Sequence, residues 1–234
     1  MPNAPLNGLE SAASALRYWE RKQEVVANNL ANVSTDGFKA QRVFAKLLDG
    51  VRPAADATSD LSTGTFRETG NDLDVAVNGD GFFVVQTANG ERYTRGGSLR
   101  VDDKHQLVDV NGNPLLGTKG TPLKVGDGPI SIDKTGEVKQ NGAVVDRLRM
   151  EGAPKNAQLQ HEGDTLWVPP ATKTVIAPDA RNVKQGYVEE SNVNSLTGMV
   201  DMVAVQRAYA SVQKAIMQMD QINETATTQI AKPL

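Results

Sequence analysis

The feature that most constrains this chain is an apolar repeat near its carboxyl end, from Val193 to about Ile230. Residues on the repeat recur at alternating steps of three and four, which places them on one face of a helix. They are Met202, Val205, Tyr209, Val212, Ile216, Met219, Asn223, Ala226 and Ile230. Such a helix would be roughly 55 Å long at about 1.5 Å per residue, more than one compact domain of this size needs to cover its core. The repeat therefore predicts a long helix with a coiled-coil-like seam that requires a partner.

A second repeat with the same spacing lies at the amino end of the chain. Its members are Leu9, Ala12, Leu16, Trp19, Gln23, Val26, Leu30 and Val33. We expect a helix that begins near Leu6 and ends at residues 34–37, Ser-Thr-Asp-Gly, where the glycine can adopt the left-handed conformation that commonly follows a helix. The two terminal helices are predicted to pair with each other.

Three asparagines near the end of this first helix are unusual. Asn28, Asn29 and Asn32 belong to a residue type that competes for backbone hydrogen bonds and forms helices poorly. One interpretation is a fraying last turn. The other is that their amides bond laterally to neighbouring helices and fix register, as polar groups do in coiled-coil seams.

Composition narrows the classes of protein. The 234 residues are 39% hydrophobic, which is enough for an ordinary core, and the formal net charge of -3 comes without a dense basic run. Nucleic acid is therefore not an expected partner. The absence of cysteine excludes disulfides and thiolate chemistry. No run of about 18 apolar residues is present, and the first residues lack the order of a secretory signal, so we expect no membrane insertion and no cleaved signal.

The middle of the chain has a different pattern. Residues 37–70 show weak periodicity and predict an extended connector. From Leu73 the period changes to two, and glycine-bearing turns follow every 8–12 residues or so, which predicts an all-β centre over residues 71–188. Residues 73–77 and 82–85, separated by Asn-Gly-Asp-Gly, are predicted to form a hairpin.

The predicted fold class is α+β. Long amino- and carboxyl-terminal helices, in residues 1–36 and 189–234, would pair as a coiled-coil-like domain around a central domain of antiparallel hairpins. Residues 166–168 and 174–176 flank Pro169 and Pro170, so we expect edge strands or a loop-rich cap there. The last helix is expected to begin at an N-cap, for which Ser191, Asn192 and Asn194 are candidates.

We find no constellation of residues that predicts catalysis, a cofactor or a metal. His105 and His161 have no local partner at ligand spacing, and we expect both on the surface. Asp72 and Asp74 flank Leu73, as the polar face of a strand would, rather than as an acid–base pair. The sequence therefore favours a non-enzymatic protein.

Three stretches together resemble the flagellar rod and hook family, the axial proteins of the bacterial basal body. The first joins residues 8–16, GLESAASAL, to residues 27–39, ANNLANVSTDGFK. The second is residues 73–83, LDVAVNGDGFF, with residues 93–99, YTRGGSL. The third is residues 185–193, QGYVEESNV, continuing into the carboxyl-terminal repeat. The three stretches follow the order in which the family has them and span nearly the whole chain.

The resemblance implies a structural subunit that is exported through the flagellar type III apparatus and polymerises with copies of itself and other axial proteins into a tube crossing the periplasm. The terminal helices would form the inner wall and the β centre the outer layer. The implied assembly interface comprises Leu9, Leu16, Val26, Asn28, Asn29, Leu30, Asn32, Val33, Met202, Val205, Tyr209, Val212, Ile216 and Met219. The family motif in the β centre comprises Leu73, Asp74, Val75, Gly79, Gly81, Phe82 and Phe83.

Within the family, the chain lacks the large central insertion of a hook protein, and its compact connector before Leu73 and residues 185–193 resemble those of proximal rod subunits. Distal rod subunits are the alternative, since they share all three motifs. The residues Trp19-Glu20-Arg21-Lys22 are bulkier and more charged than is usual in the family, and Ala210 stands where glutamate is common. Two other classes remain open: a β-rich module that binds or hydrolyses cell-wall polysaccharide and has helical dimerisation arms, and a cytoplasmic coiled-coil adaptor.

Overall fold

A computed structural model describes residues 8–48, 52–154, 159–163 and 165–230, without the side chains of 9, 46–48, 52–54 and 226–230. The elements in chain order are α1 Gly8–Ala31, β1 Gln41–Leu48, β2 Arg52–Ser59, β3 Phe66–Glu68, β4 Val75–Val77, β5 Phe82–Thr87, β6 Gly90–Thr94, β7 Arg100–Val101, β8 Leu107–Val108, β9 Ile130–Ile132, β10 Glu137–Gln140, β11 Ala143–Arg147, β12 Met150–Gly152, β13 Leu166–Trp167, β14 Thr174–Val175, a 3-10 turn Pro178–Ala180, β15 Val183–Gln185, β16 Tyr187–Glu189 and α2 Ser195–Ile230.

The chain forms two compact units. The helical unit comprises Met1–Ala31, Gln41–Thr58 and Asn194–Leu234, and the β unit comprises Asn32–Ala40 and Ser59–Val193. The class predicted from the sequence, α+β with a helix at each end and a β-rich centre, is confirmed. In this division residues 32–36 and 189–193 belong to the β unit, and residues 37–70 are divided between the two units.

The ends of the two helices follow local signals. After α1 the chain turns through residues 32–37, and Gly37 has φ +76°, the left-handed conformation expected there. The helix α2 has 36 residues and begins at Ser195. The side-chain oxygen of Asn194 accepts a hydrogen bond from the backbone N–H of Thr197 at 2.9 Å, so Asn194 is the N-cap among the three candidates.

Within the helical unit, α1 and α2 lie against each other and run antiparallel. A Cβ placed on Gly8, at the start of α1, would lie 3.8 Å from Met219 Cε. At the other end of α1, Leu30 Cδ1 lies 3.7 Å from where a Cβ on Gly198 would stand. The first turn of α2 thus faces the last turn of α1, which confirms that the two terminal helices contact each other. Coiled-coil geometry stays a prediction.

The segment predicted as an extended connector contains regular structure. The strands β1 and β2 pair with each other, and β1 contacts α1 in the helical unit. Further along, β3 pairs antiparallel with β16, with Arg67 opposite Val188. A two-stranded sheet is marginal by itself and gains stability by packing on a helix, so weak local periodicity could not reveal it.

The β unit is built from small antiparallel sheets. The largest has the strand order β13-β6-β5-β12-β14, and a three-stranded sheet has the order β11-β10-β9. The other pairs are β4 with β15, β3 with β16 and β7 with β8. The strands β13 and β14, next to Pro169 and Pro170, lie at the two edges of the large sheet, as predicted for edge strands.

The hairpin predicted around residues 78–81 is wrong. Strand β4 pairs with β15, with Val75 opposite Gln185, whereas β5 makes its hairpin with β6 through Ala88-Asn89. All three residues of β4 are buried, so this strand belongs to the interior and not to a surface hairpin. Gly79 has φ +129° and Gly81 has φ +120°, and these conformations carry the chain from one sheet to another.

Strand β5 organises the core. Phe83 and Val85 belong to one buried apolar cluster, and Phe82 and Val84 belong to a second one that includes Trp167. Side chains alternate between the two faces of a strand, so β5 is covered on both faces. Its run of consecutive apolar residues is explained by this double burial.

Candidate functional site

The predicted seam of α2 is the less exposed side of that helix. Among the described side chains of α2, Val205 alone is buried, with 1% of its surface exposed. Half-buried side chains of the seam are Met202, Tyr209, Val212 and Ile216. Met219 is 39% exposed. The seam therefore faces α1 of the same chain, and its part in contacts between subunits stays a prediction.

The corresponding side of α1 is also shielded. Val26 is buried, and Leu16 and Leu30 are half-buried. Val33 is half-buried too, but it lies in the turn that belongs to the β unit. The side chain of Leu9 lies outside the described residues.

A second apolar surface on α2, here called the outer stripe, has no cover within the described part of the chain. Its members are Leu196, Met199, Val200, Val203 and Met217, all exposed. Leu196 is 73% exposed and Val200 is 62% exposed. At about 3.6 residues per turn, the outer stripe lies on the side of α2 opposite Val205. Exposed apolar surface of this extent on a helix indicates a docking surface.

The exposed side of α1 is chemically different. Five of its exposed residues are charged and share one side of the helix: Glu10, Arg17, Glu20, Arg21 and Glu24. Arg21 and Glu24 form an ion pair at 2.8 Å. The helical unit therefore presents one charged surface, on α1, and one apolar surface, on α2.

Within the chain, Asn29 bonds to a strand, whereas bonds from Asn28 and Asn32 to neighbouring helices stay a prediction. The amide of Asn29 makes two hydrogen bonds with the backbone of Gln41: its Nδ2 donates to the carbonyl oxygen, and its Oδ1 accepts from the N–H, both at 2.8 Å. Gln41 is the first residue of β1, so the amide substitutes for a neighbouring strand. Asn32 Oδ1 accepts a hydrogen bond from Thr35 Oγ1 at 3.0 Å, and Asn28 is exposed. Lateral bonds from Asn29 to a helix are thus replaced by bonds to a strand.

Replacing Asn29 with alanine is expected to loosen the start of β1. Both backbone groups of Gln41 lose their partner, and we expect the helical unit to lose about 1–3 kcal/mol of unfolding free energy. Hydrogen exchange at the Gln41 N–H and thermal melting of the helical signal measure this loss. The matched control is Asn28→Ala at the exposed neighbouring position. Equal effects of the two substitutions would contradict the assigned role.

In the β unit, the three sequence motifs meet at one buried ionic cluster, formed by Lys39, Arg95 and Glu189. All three residues are at most 3% exposed. The ammonium group of Lys39 pairs with Glu189 Oε1, and Arg95 Nη1 lies 3.1 Å from Glu189 Oε2. Lys39 belongs to the first motif, Arg95 to the second and Glu189 to the third. The sequence patterns place all three residues in these motifs but do not indicate that they meet.

Backbone hydrogen bonds surround the cluster. Lys39 Nζ donates to the carbonyl oxygen of Ser62 at 2.7 Å, and Glu189 Oε1 accepts from the Gly64 N–H at 2.9 Å. Glu189 also accepts from the Gly37 N–H through its own carbonyl, at 2.6 Å. The cluster therefore connects the chain just after α1 with the chain just before α2, through residues that all belong to the β unit.

Electrostatics at the cluster are unbalanced, because two cations share one carboxylate. Burial lowers the pKa of Lys39 from its ordinary value, and the hydrogen bond and charge of Glu189 oppose that shift. Within the described residues, Arg95 Nε is buried without a hydrogen-bond partner. The guanidinium group also lies over the ring of Phe82, with 5.2 Å between its carbon and the ring centroid.

The family motif in the β unit supports this cluster. The carbonyl oxygen of Gly79 accepts a hydrogen bond from Arg95 Nη2 at 2.7 Å, and Phe82 lies beneath the same guanidinium group. Val75 and Phe83 belong to the core, with Leu73 packed against it. Asp74 accepts a hydrogen bond from Asn71 Nδ2 at 3.2 Å. Gly81 lies so close to Ile176 that a Cβ would stand 2.2 Å from the Ile176 Cδ1 atom.

A second buried carboxylate lies at Glu151, which is 1% exposed. It accepts a hydrogen bond from the hydroxyl of Tyr93 at 2.7 Å and one from Arg149 Nε at 2.7 Å. Burial, together with Glu151, raises the pKa of Tyr93 well above its ordinary value, so the phenol stays protonated. Tyr93 stacks on Phe82 with ring centroids 5.4 Å apart, and this network ties β6 to β12.

A cavity of about 250 Å³ opens beside the turn that follows α1. Its walls come from that turn, from residues 94–98, from residues 109–111 and from Thr165. The carboxylates in its walls already have partners: Asp36 pairs with Arg67 at 3.1 Å, and Asp109 accepts from the Asn113 N–H at 2.8 Å. Across the described ranges, no group of three or more His, Asp or Glu side chains could hold a metal ion. No helix in the same ranges is both long and apolar enough to span a bilayer.

The helical unit has a charged surface on α1 and an apolar surface on α2, and in the sequence the β unit lies between the segments that form it. Surfaces of this kind are typical of proteins that pack against other proteins. Three family models match in chain order. The description "Flagella basal body rod protein" matches residues 9–39, "Flagellar hook protein FlgE/F/G D1 domain" matches residues 76–145, and "Flagellar basal body rod FlgEFG protein C-terminal" matches residues 184–229. Each matched region contains one of the three cluster residues, Lys39, Arg95 and Glu189 in that order.

Relatives of known name agree with these matches. The chain is 33% identical to the flagellar basal-body rod protein FlgF of Caulobacter vibrioides, over 99% of both chains. It is 33% identical to FlgF of Escherichia coli, over 92% of this chain and 94% of that one. The basal-body rod protein FlgG of Bacillus subtilis is 28% identical, over 93% of this chain and 96% of that protein. The chain belongs to the flagellar basal-body rod protein family.

Proposed function

We propose that this chain is a proximal-type structural subunit of the flagellar rod. In this role it assembles helically with copies of itself and with other axial proteins into the drive shaft that crosses the periplasm. It reaches that place through the flagellar type III export apparatus. The second candidate is a distal rod subunit of the same family.

The outer stripe of α2 is the observation that supports assembly. The stripe is apolar, exposed and opposite the seam that faces α1, so α2 has two apolar sides, of which the described residues cover only the seam. A contact between different surfaces of identical or similar subunits, repeated by a screw operation, produces an open filament. The stripe supplies such a surface, and a helix of an adjacent axial subunit is its proposed occupant.

The extent of the match to an FlgF protein supports the proximal type. The FlgF protein of Caulobacter vibrioides matches over 99% of this chain and 99% of its own. The FlgG protein of Buchnera aphidicola from Schizaphis graminum, at 32% identity, matches over 85% of this chain and 90% of its own. That FlgG protein leaves more of this chain unmatched than this FlgF protein does.

The pairing of α1 with α2 is proposed to be coiled-coil-like. The least exposed residues of α2, among them Met202, Val205, Tyr209 and Val212, follow steps of three and four, which is the spacing of a coiled-coil seam. In the assembled rod this pair forms the inner wall. The helix α2 buries one apolar side against α1 and exposes the other. A pair of this kind is suited to a wall in which every helix has neighbours on both sides.

Replacement of Val200 with aspartate tests the proposed function. Val200 is exposed in the isolated chain, so the purified variant should keep its circular dichroism and melting behaviour. In the assembled rod the same position would bury a charge, which costs several kcal/mol when unpaired. We expect the variant to fail to restore motility in a strain that lacks the gene.

The control for this experiment is Ala215→Asp, at an exposed position of α2 that lies on neither apolar side. Electron cryotomography of the deletion strain completes the test, because the length of any rod stub distinguishes a proximal subunit from a distal one. Complete rods built by Val200→Asp would refute the outer stripe as the assembly surface. Complete, rotating flagella in the deletion strain would refute the rod function itself.

A further inference from the structure

The ionic cluster of Lys39, Arg95 and Glu189 joins parts of the chain that are far apart in sequence. Lys39 and Glu189 are 150 residues apart, and Arg95 and Glu189 are 94 residues apart. Lys39 lies eight residues after the end of α1, and Glu189 lies six residues before the start of α2. Its position is therefore where the chain enters and leaves the β unit.

Asn192, which follows Glu189 in the same segment, makes a second connection between the segments that enter and leave the β unit. Its Oδ1 accepts a hydrogen bond from the Ala40 N–H at 2.7 Å, and its Nδ2 donates to the carbonyl oxygen of Asp60 at 2.8 Å. Together with the bond from the Gly37 N–H to the Glu189 carbonyl, it holds the entering and leaving segments side by side. Both segments are tied by backbone groups as well as by charges.

The cluster is poorly suited to stabilise the β unit by itself. Burial of charges carries a desolvation cost that is recovered only when every donor and acceptor is paired, and apolar replacements of similar volume are often equally stable. Here two buried cations share one carboxylate, and Arg95 Nε has no partner within the described residues. Charge pairs of this kind select one arrangement of the chain, because any shift in register leaves a buried charge alone.

We propose that Lys39, Arg95 and Glu189 form a junction clamp, which fixes the entry and exit segments of the β unit in one register. Its contribution is to the uniqueness of that geometry more than to the stability of the fold. The clamp goes beyond the proposed function, since it concerns the isolated chain and does not depend on the rod.

The test compares two variants of the full chain. In Glu189→Gln, both buried cations lose their anion. In the neutral triple variant Lys39→Met/Arg95→Met/Glu189→Gln, the cluster no longer contains a charged side chain. The side-chain carbonyl of the glutamine can still accept a hydrogen bond from the Gly64 N–H. We expect the single variant to have the lower unfolding midpoint of the two, as followed by the fluorescence of Trp167 in the β unit, with Trp19→Phe removing the other tryptophan.

The register of the entry and exit segments is measured separately, as the distance between two spin labels obtained from their electron–electron dipolar coupling. The chain has no cysteine, so Ser34→Cys and Ser191→Cys provide two labels, one on each segment. We expect a narrow distance distribution in the parent and a broad one in the triple variant. The matched control is Arg67→Met/Glu190→Gln, which removes a partly exposed ion pair between neighbouring segments and should leave the distribution narrow.

Two results would overturn the clamp. A narrow distribution in the triple variant would show that the cluster is not needed for the register, which the Asn192 and backbone hydrogen bonds and the apolar packing would then set without it. A triple variant with a midpoint as low as that of Glu189→Gln, or lower, would show that the cluster acts mainly on stability. Failure of the rod function would change neither measurement.

Discussion

Replacing Gly97 with alanine is expected to destabilise the β unit strongly. A Cβ at this position would lie 1.6 Å from the carbonyl oxygen of Val75 and 2.8 Å from its carbonyl carbon. The carbonyl of Gly97 also accepts a hydrogen bond from the Val75 N–H at 2.9 Å, so the two backbones cannot separate without breaking it. Val75 is fully buried in β4. We expect a loss of about 3 kcal/mol or more, a large part of the 5–15 kcal/mol that stabilises a typical domain.

Denaturant unfolding followed by Trp167 fluorescence measures the effect of Gly97→Ala. Gly142→Ala serves as control, because Gly142 has φ +80° and no atom lies within 4 Å of a Cβ built there. Its expected cost is only the left-handed conformation, about 1–2 kcal/mol. If Gly97→Ala were no worse than this control, the close approach of the two backbones would be wrong.

Replacing Val205 with aspartate is expected to separate α1 from α2. Val205 is 1% exposed and lies on the seam that faces α1. An unpaired charge there costs several kcal/mol, and isolated helices are marginal in water, so we expect the helical signal to fall. The β unit has its own core and should stay folded.

The two tryptophans allow the units to be followed separately, since Trp19 lies on α1 and Trp167 in the β unit. We expect the fluorescence of Trp19 to change in Val205→Asp and that of Trp167 to stay as in the parent. The matched control is Val203→Asp, the same substitution two residues away at a position 48% exposed. A helical signal preserved equally in both variants would contradict the seam.

The apolar repeats along the sequence were the reliable guide to the two helices. The steps of three and four predict both helices, and the polar residues at their ends predict where they stop and start, as Gly37 and Asn194 confirm. Such signals are local, because a helix satisfies its backbone hydrogen bonds within itself.

The partners of strands were not predictable in the same way. A strand must find its hydrogen bonds elsewhere in the chain, and period-two patterns do not name the other strand. Residues 73–85 look like a hairpin locally, yet β4 pairs with β15, more than 100 residues later. The strands β1 and β2 were missed because their stability comes from packing that the local pattern does not encode.

The sequence by itself determined the helices, the β-rich centre and the family, because each depends on periodicity or on motifs read along the chain. Only the tertiary structure decided what the charged residues within those motifs do. Lys39, Arg95 and Glu189 meet because folding brings three motifs to one place, and a buried charge acquires its role from the group opposite it. Asn29 likewise binds a strand and not a helix, because the chain turns back after α1 and places Gln41 beside it.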